Sequence, residues 1–175
     1  MKTKKEEPEM EEKKNSDLEN DQLKSDNASR IIKKYMYWSM GAGLIPIPLF
    51  DIAAVSGVQL KMLNELSKIY EIEFSENMGK SIVAVLLGSI TADSLSRSTF
   101  TSFIKTIPII GIIGSVSMPL YSGAATWAIG KVFVQHFASG GTFLDFDPKK
   151  VKEYFTELYE QGKTIAKNMQ TSKAE

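Results

Sequence analysis

The sequence predicts an all-α protein with about five helices. Apolar residues recur at the three- and four-residue spacing of helices, and no stretch alternates apolar and polar residues as a half-buried strand would. Pro46, Pro48 and Pro108 interrupt this pattern, because proline lacks the N–H that a helix interior needs. We therefore expect two helical hairpins with apolar tips at Ile45-Pro46-Ile47 and Ile107-Pro108-Ile109, followed by a C-terminal amphipathic helix.

The composition of residues 1–27 predicts a disordered acidic tail. Residues 1–26 contain nine acidic residues, six lysines and no aromatic residue, so burial cannot offset the entropy lost on ordering them. No apolar segment follows the basic residues as it would in a signal peptide. We therefore expect one helical domain over residues 28–170, with both termini in the cytoplasm. The absence of cysteine excludes disulfides and thiolate chemistry.

The longest uncharged stretch, Thr106 to Gly130, predicts membrane association. Its 25 residues would form a helix of about 38 Å, and roughly 20 apolar residues are enough to cross a bilayer. Small residues at four-residue spacing within the stretch would let helices pack closely in lipid. The alternative is the central helix of a soluble bundle, which is apolar on all sides because it is buried on all sides. Residence in the membrane is the favoured prediction.

Basic and aromatic residues near the start of the first predicted helix are typical of a membrane interface. Arg30, Lys33 and Lys34 precede an apolar run that opens with two tyrosines and Trp38. Cations in such a position can meet anionic headgroups, and amphipathic rings favour the boundary between lipid and water. The alternative is a solvated first turn followed by aromatic side chains in a protein core.

The next two helices contain the polar residues closest to the apolar segments. Asp51 stands at the predicted N-cap of the second helix, and Gln59 belongs to that helix's inward stripe. In the third helix, Gly88 is the centre of a small-residue ladder predicted to pack closely on a neighbouring helix. Asp51 and Asp93 are the only acidic residues near the apolar segments. They are candidate ion or proton sites, although helix capping also explains Asp51.

No catalytic constellation is evident in the sequence. Gly79-Lys80-Ser81 lacks the earlier glycine and the preceding strand of a phosphate-binding loop. His136 has no carboxylate or serine at a telling spacing and is predicted to be a core or interfacial residue. A single histidine without cysteine argues against a zinc site, and the basic residues are too scattered for a nucleic-acid surface. We expect no enzymatic activity, no cofactor or metal, and no nucleic-acid partner.

Two stretches resemble the bacterial domain of unknown function 697 family. The first contains Ile45-Pro-Ile-Pro48, Asp51, Gly57-Val-Gln59-Leu-Lys-Met-Leu63, Leu66-Ser67, Tyr70 and Phe74. The second contains Pro108, Gly111-Ile-Ile-Gly114, Thr126-Trp-Ala-Ile-Gly130-Lys-Val-Phe133 and His136-Phe137-Ala-Ser-Gly140-Gly141-Thr-Phe-Leu-Asp145-Phe-Asp147-Pro148. The resemblance implies a bacterial helical, membrane-associated module, found alone or joined to a small GTP-binding domain. This sequence has no GTP-binding motif, so such a GTPase would act in trans.

Three functional classes fit these features. The favoured class is a non-enzymatic adaptor or scaffold at the bacterial inner membrane, with the lipid bilayer, a GTPase and a second copy of the chain as candidate partners. The second class is a transporter or pore-like assembly that uses Asp51 or Asp93. The third class is a soluble helical bundle that binds lipid or another hydrophobic ligand.

Overall fold

The computed structural model describes residues 6–42, 50–96 and 110–172, and it describes side-chain surroundings for residues 13–41, 56–90 and 119–172. The described residues form five α-helices: α1 (Glu6–Ala42), α2 (Phe50–Ile69), α3 (Glu76–Ser96), α4 (Ile110–Ala138) and α5 (Lys152–Thr171). No strand occurs in this part of the chain. The predicted all-α class with about five helices is confirmed.

Helix α4 lies in the core and runs antiparallel to α1. Near one end of the contact, Gly130 of α4 lies against Ile32 of α1. Near the other end, Ser122 is hydrogen-bonded to Ser39. The residue number therefore rises along α1 as it falls along α4. Helix α4 has its most extensive contacts with α1 and α5.

Helix α5 covers another face of α4 with an apolar stripe, as the sequence predicts for an amphipathic C-terminal helix. Its buried residues are Phe155, Leu158, Tyr159, Gly162 and Ala166. The helix begins at Lys152. Asp147 accepts a hydrogen bond from the backbone N–H of Lys149 at 3.0 Å, in the turn that precedes the helix.

Helix α2 packs antiparallel to α1, as expected for the first predicted hairpin. Lys34 of α1 pairs with Glu65 of α2, and Lys24 pairs with Glu71. The second predicted hairpin is less evident, because α3 has few contacts with α4 and packs more on α2. The Ile-Pro-Ile tips of both predicted hairpins lie outside the described residues.

Residues 6–27 are helical, although their composition predicts disorder. They belong to α1 and are rich in glutamate, lysine and other strong helix formers. Most side chains from Lys13 to Asn27 are exposed, and the first buried side chain is Ala28. The packed part of α1 begins there, and the acidic part continues the same helix beyond the core. The division of the chain into a tail and a domain over residues 28–170 stays a prediction.

The stretch from Thr106 to Gly130, which the sequence predicts to span a membrane, is described from Ile110 onward. Helix α4 begins at Ile110, and its residues from Ser122 to Thr126 are buried. Small residues in this part of α4 serve contacts with neighbouring helices, as expected for a central helix of a bundle. Among the described residues, no helix combines the length and the apolar character that crossing a membrane requires.

A turn of aromatic and small residues connects α4 to α5. Gly140 has a φ of 84°, which places it in the left-handed region that glycine tolerates best, and it ends the helix as the sequence predicts. The Phe146 ring then stacks on Phe133 with centroids 4.6 Å apart, and Phe143 packs on the same ring at 5.4 Å. These contacts fix the turn to one end of the core.

Candidate functional site

Small residues bring α4 into close contact with both α1 and α5. A methyl group built on Gly130 would lie 2.6 Å from Cγ1 of Ile32. One built on Gly162 would lie 2.8 Å from the carbonyl oxygen of Ala124. Neither position has room for a side chain without movement of its neighbours. Gly130, which the sequence analysis selected, therefore lies within a close helix contact.

A pair of buried serines joins α1 to α4. The Ser39 hydroxyl donates to the Ser122 carbonyl at 3.1 Å, and the Ser122 hydroxyl donates to the Ser39 carbonyl at 2.9 Å. The two hydroxyl groups also lie against each other. Leaving such buried polar groups without partners would cost about 1–3 kcal/mol each. The reciprocal pair therefore fixes the position of α1 along α4.

Exposed aromatic side chains directly precede both serines in the sequence. Trp38 is 67% exposed, Tyr121 is 51% exposed and Tyr37 is 43% exposed. Because Ser39 is bonded to Ser122, Trp38 and Tyr121 lie within about 3 Å of each other along the bundle axis, at 1.5 Å per residue. We call Tyr37, Trp38 and Tyr121 the aromatic belt.

The ends of α1 and α4 beyond the aromatic belt are uncharged, and Asp51 in the first turn of α2 lies on the same side of the belt. The C-terminal end of α1 and the N-terminal end of α4 lie on the same side, because the two helices are antiparallel. We call this the apical side. The chain contains no charged residue from Ser39 to Phe50 or from Thr106 to Leu120. On the opposite side, Lys34 and Glu65 form an ion pair of 2.7 Å.

Tyr35 belongs to the same aromatic run in the sequence but lies in the core. It is 8% exposed, and its hydroxyl donates to Glu65 at 2.8 Å. Burial, together with this bond and the charge of Glu65, raises the pKa of Tyr35 to about 12. Burial raises the pKa of Glu65, but hydrogen bonds from Lys34 and Tyr35 outweigh it and hold that pKa below its usual value. The core interpretation of the aromatic run therefore applies to Tyr35, and Trp38, which is exposed, remains a candidate for a membrane interface.

An open groove of about 310 Å³ lies beside the aromatic belt, between α4 and α5. It is lined by Leu120, Tyr121, Lys163, Thr164 and Lys167, and we call it the lysine groove. Sequence analysis did not select any of these residues. The available signal was the four-residue spacing of Lys163 and Lys167, which places both on one face of a helix.

Gln59 is fully buried in α2, and its amide has no hydrogen-bond partner among the described residues. Neither Nε2 nor Oε1 is satisfied, and the buried indole nitrogen of Trp127 also lacks a partner in this part of the structure. Each such group costs about 1–3 kcal/mol relative to a satisfied one. The sequence places Gln59 on the inward stripe of its helix, and the structure places it in the core.

His136 is bound to the turn that follows α4. Its Nε2 lies 2.8 Å from the carbonyl oxygen of Thr142 and 3.7 Å from Oδ1 of Asp145. Asp145 accepts two further bonds of 2.6 Å, from the hydroxyl and the backbone N–H of Thr142, and these bonds hold the pKa of its carboxyl group below the usual value. The carboxylate partner was missed in the sequence because the turn, and not a helical spacing, brings it to the imidazole. These contacts hold the turn together.

The packing role predicted for Gly88 stays a prediction. Gly88 lies on an exposed part of α3, and a methyl group built on it would meet no described atom within 4 Å. The small-residue pattern is the same as at Gly130, but among the described residues only Gly130 lies in a close helix contact.

The remaining candidate residues cannot be placed in a site. Pro46, Pro48 and Pro108 lie outside the described residues. Helix α2 begins at Phe50, so Asp51 lies within its first turn, and its predicted capping role stays a prediction. The side-chain surroundings of Asp51, Asp93, Gly111 and Gly114 lie outside the described part of the chain.

The fold and the aromatic belt define a class of small helical modules with polar and aromatic groups at one level of the bundle. The chain belongs to the family named domain of unknown function DUF697, whose model matches residues 9–164. The predicted resemblance is therefore confirmed. The chain is also 37% identical over 147 residues to a protein of Magnetospirillum gryphiswaldense named magnetosome membrane protein 22. The match covers 83% of this chain and 75% of that protein. No solved structure matches the chain.

Proposed function

We propose that this protein is a membrane-associated, non-enzymatic helical module that acts as an adaptor at a membrane surface. The observation that supports this proposal most strongly is the aromatic belt, with Trp38 67% exposed. Tryptophan and tyrosine favour the boundary between lipid and water, because each ring is apolar in one part and polar in another. The name of the similar Magnetospirillum protein is that of a membrane protein.

In this proposal the apical side of the aromatic belt faces the membrane. The ends of α1 and α4 on that side carry no charged residue from Ser39 to Ala42 or from Ile110 to Leu120, which favours this orientation, because charged groups are costly to move into lipid. The Lys34–Glu65 pair on the opposite side stays in water. The acidic first half of α1 extends away from the membrane in the same orientation.

The first half of α1 is the surface that we propose for a partner protein. Its side chains are exposed from Lys13 to Leu23, and they include two apolar residues, Leu18 at 58% and Leu23 at 62%. Apolar side chains on an otherwise polar helix are a common means of binding a groove on another protein. A GTPase acting in trans at the bacterial inner membrane is the partner that we propose, in line with the family resemblance.

Cell fractionation tests membrane association. The full chain should be recovered with the membrane fraction, and Trp38→Ser should shift it towards the supernatant. Loss of one large apolar contact weakens binding by about 2 kcal/mol, or roughly thirty-fold. Leu144→Ser is the matched control, because Leu144 is 83% exposed but lies in the turn between α4 and α5. Equal recovery of Trp38→Ser and wild type in the membrane fraction would argue against the aromatic belt as the contact.

Crosslinking tests the adaptor role. A photoreactive residue at position 18 should crosslink to a GTP-binding protein when intact cells are irradiated. When irradiation follows lysis, the crosslink yield should depend on whether GTP or GDP has been added. Leu23→Ser should reduce the crosslink without changing membrane recovery, because Leu23 lies far from the aromatic belt along α1. A yield that is independent of both nucleotide and Leu23 would contradict this part of the proposal.

A further inference from the structure

We propose that the lysine groove binds the phosphate group of anionic phospholipids. This inference rests on the proposed membrane association and adds the class of lipid that the module selects. The groove contains Tyr121, which also belongs to the aromatic belt, so the two features lie at the same level of the bundle. A belt that lies at the boundary between lipid and water places the groove at the depth of the headgroups.

The charge pattern of α5 fits an anionic ligand. The acidic residues of this helix, Glu153, Glu157 and Glu160, all lie in its first half, and from Gln161 to Thr171 its only charged residues are Lys163 and Lys167. No ion pair is seen for Lys167 within the described part of the chain. The positive charge is therefore concentrated at the end of α5 that lines the groove.

Lys163 is already paired on its own helix. Its ammonium group lies 2.6 Å from Glu160 and 5.6 Å from the centroid of the Tyr159 ring. The side chain is 41% exposed, so water screens this pair and the ammonium group remains accessible. The two ammonium groups, one helical turn apart, can both approach a single phosphate diester.

The uncharged lining of the groove distinguishes a phospholipid from a free anion. Leu120 and Tyr121 supply an apolar wall beside the two lysines, and Thr164 adds a hydroxyl group to the lining. A phosphate diester that carries glycerol and acyl chains can contact the apolar wall and the lysines together. Inorganic phosphate or an acidic peptide would leave the apolar wall in water.

Vesicle flotation of the full chain tests this inference. Wild type should bind vesicles containing phosphatidylglycerol more tightly than vesicles of phosphatidylcholine alone, and added salt should reduce the difference. Lys163→Gln combined with Lys167→Gln should weaken binding to the phosphatidylglycerol vesicles by roughly thirty-fold, at about fivefold per cation. Binding to phosphatidylcholine should change little. Inorganic phosphate at the same concentration as the lipid should not compete.

Lys149→Gln combined with Lys150→Gln is the matched control. It removes the same charge from the turn before α5, at the opposite end of that helix, and should leave the preference for phosphatidylglycerol intact. Equal loss in both double variants would overturn the groove as the site. Equal binding of wild type to both vesicle types would overturn the inference but leave membrane association standing. Failure of wild type to bind either vesicle would overturn membrane association itself.

A second copy of the chain is the competing occupant, because the first half of α1 is acidic. Sedimentation velocity without lipid distinguishes a second copy of the chain from a phospholipid as the occupant of the lysine groove. The inference expects the Lys163 and Lys167 double variant to have the same oligomeric state as wild type. Dissociation of a wild-type dimer by this double variant would assign the groove to α1 of a second copy instead.

Discussion

Gly162 and Gly88 are helix glycines with opposite surroundings. A methyl group at Gly162 would lie 2.8 Å from a backbone oxygen of α4, which cannot rotate away, whereas one at Gly88 would meet no described atom within 4 Å. We expect Gly162→Ala to lower the free energy of unfolding by about 1–3 kcal/mol. Gly88→Ala should raise it by roughly 0.5–1 kcal/mol, because alanine favours the helix. Urea unfolding of both variants measures the difference, and effects of equal sign would contradict the described packing.

Glu65 should make the stability of the protein depend on pH in the acid range. Its pKa is lower in the folded protein than the usual value of 4.5, since Lys34 and Tyr35 favour the charged form. Its contribution is therefore fully present above pH 4.5 and is lost as the pH falls through the lower folded pKa. Glu65→Gln should make the decrease in unfolding free energy below pH 4.5 shallower, whereas Glu157→Gln, at an exposed position of α5, should preserve it. An unchanged pH profile in Glu65→Gln would show that Glu65 does not couple to folding.

Helix α1 has two parts with different roles in stability. Its residues contribute buried side chains to the core only from Ala28 onward. We expect deletion of residues 1–22 to leave the unfolding free energy within about 1 kcal/mol, because the Lys24–Glu71 pair is retained and is partly exposed. Thermal unfolding of the shortened chain measures this. A large loss would show that the acidic part of α1 contacts the core.

The elements whose burial follows a helical repeat are the ones that the sequence predicts well. Helix α5 is amphipathic, as its periodicity predicts, and Phe155 and Leu158 of the predicted stripe are buried. The acidic part of α1 was predicted to be disordered but is helical. Its composition indicates little burial, but a packed helix can extend into neighbouring helix-forming residues.

The candidate site was only partly predictable from the sequence. Trp38 was selected because an aromatic residue after basic residues is a local pattern. Tyr121 and Lys167 come together only when α4 and α5 pack, and no local spacing connects them. The small-residue pattern likewise predicted packing for both Gly130 and Gly88, and of the two only Gly130 has a described atom within 4 Å of a methyl group built on it.

Across the whole molecule, the packing of small residues determines which aromatic groups are exposed and at what level. Close contacts of α4 with α1 and α5, together with the Ser39–Ser122 pair, hold Trp38 and Tyr121 at one level of the bundle. The Lys34–Glu65 ion pair lies on one side of that level, and the uncharged ends of α1 and α4 lie on the other. The position of the aromatic residues that we propose to contact the membrane therefore depends on how the core packs.

The fluorescence of Trp38 tests the central claim most directly. Trp127→Phe removes the other tryptophan, which lies in the contact between α4 and α5, so that Trp38 alone reports. On addition of phosphatidylglycerol vesicles, Trp38 emission should move to shorter wavelength and should be quenched by lipids brominated close to the headgroup. A Trp38 emission spectrum that stays unchanged at saturating vesicle concentration, with the fold of the variant intact, would contradict membrane contact through the aromatic belt.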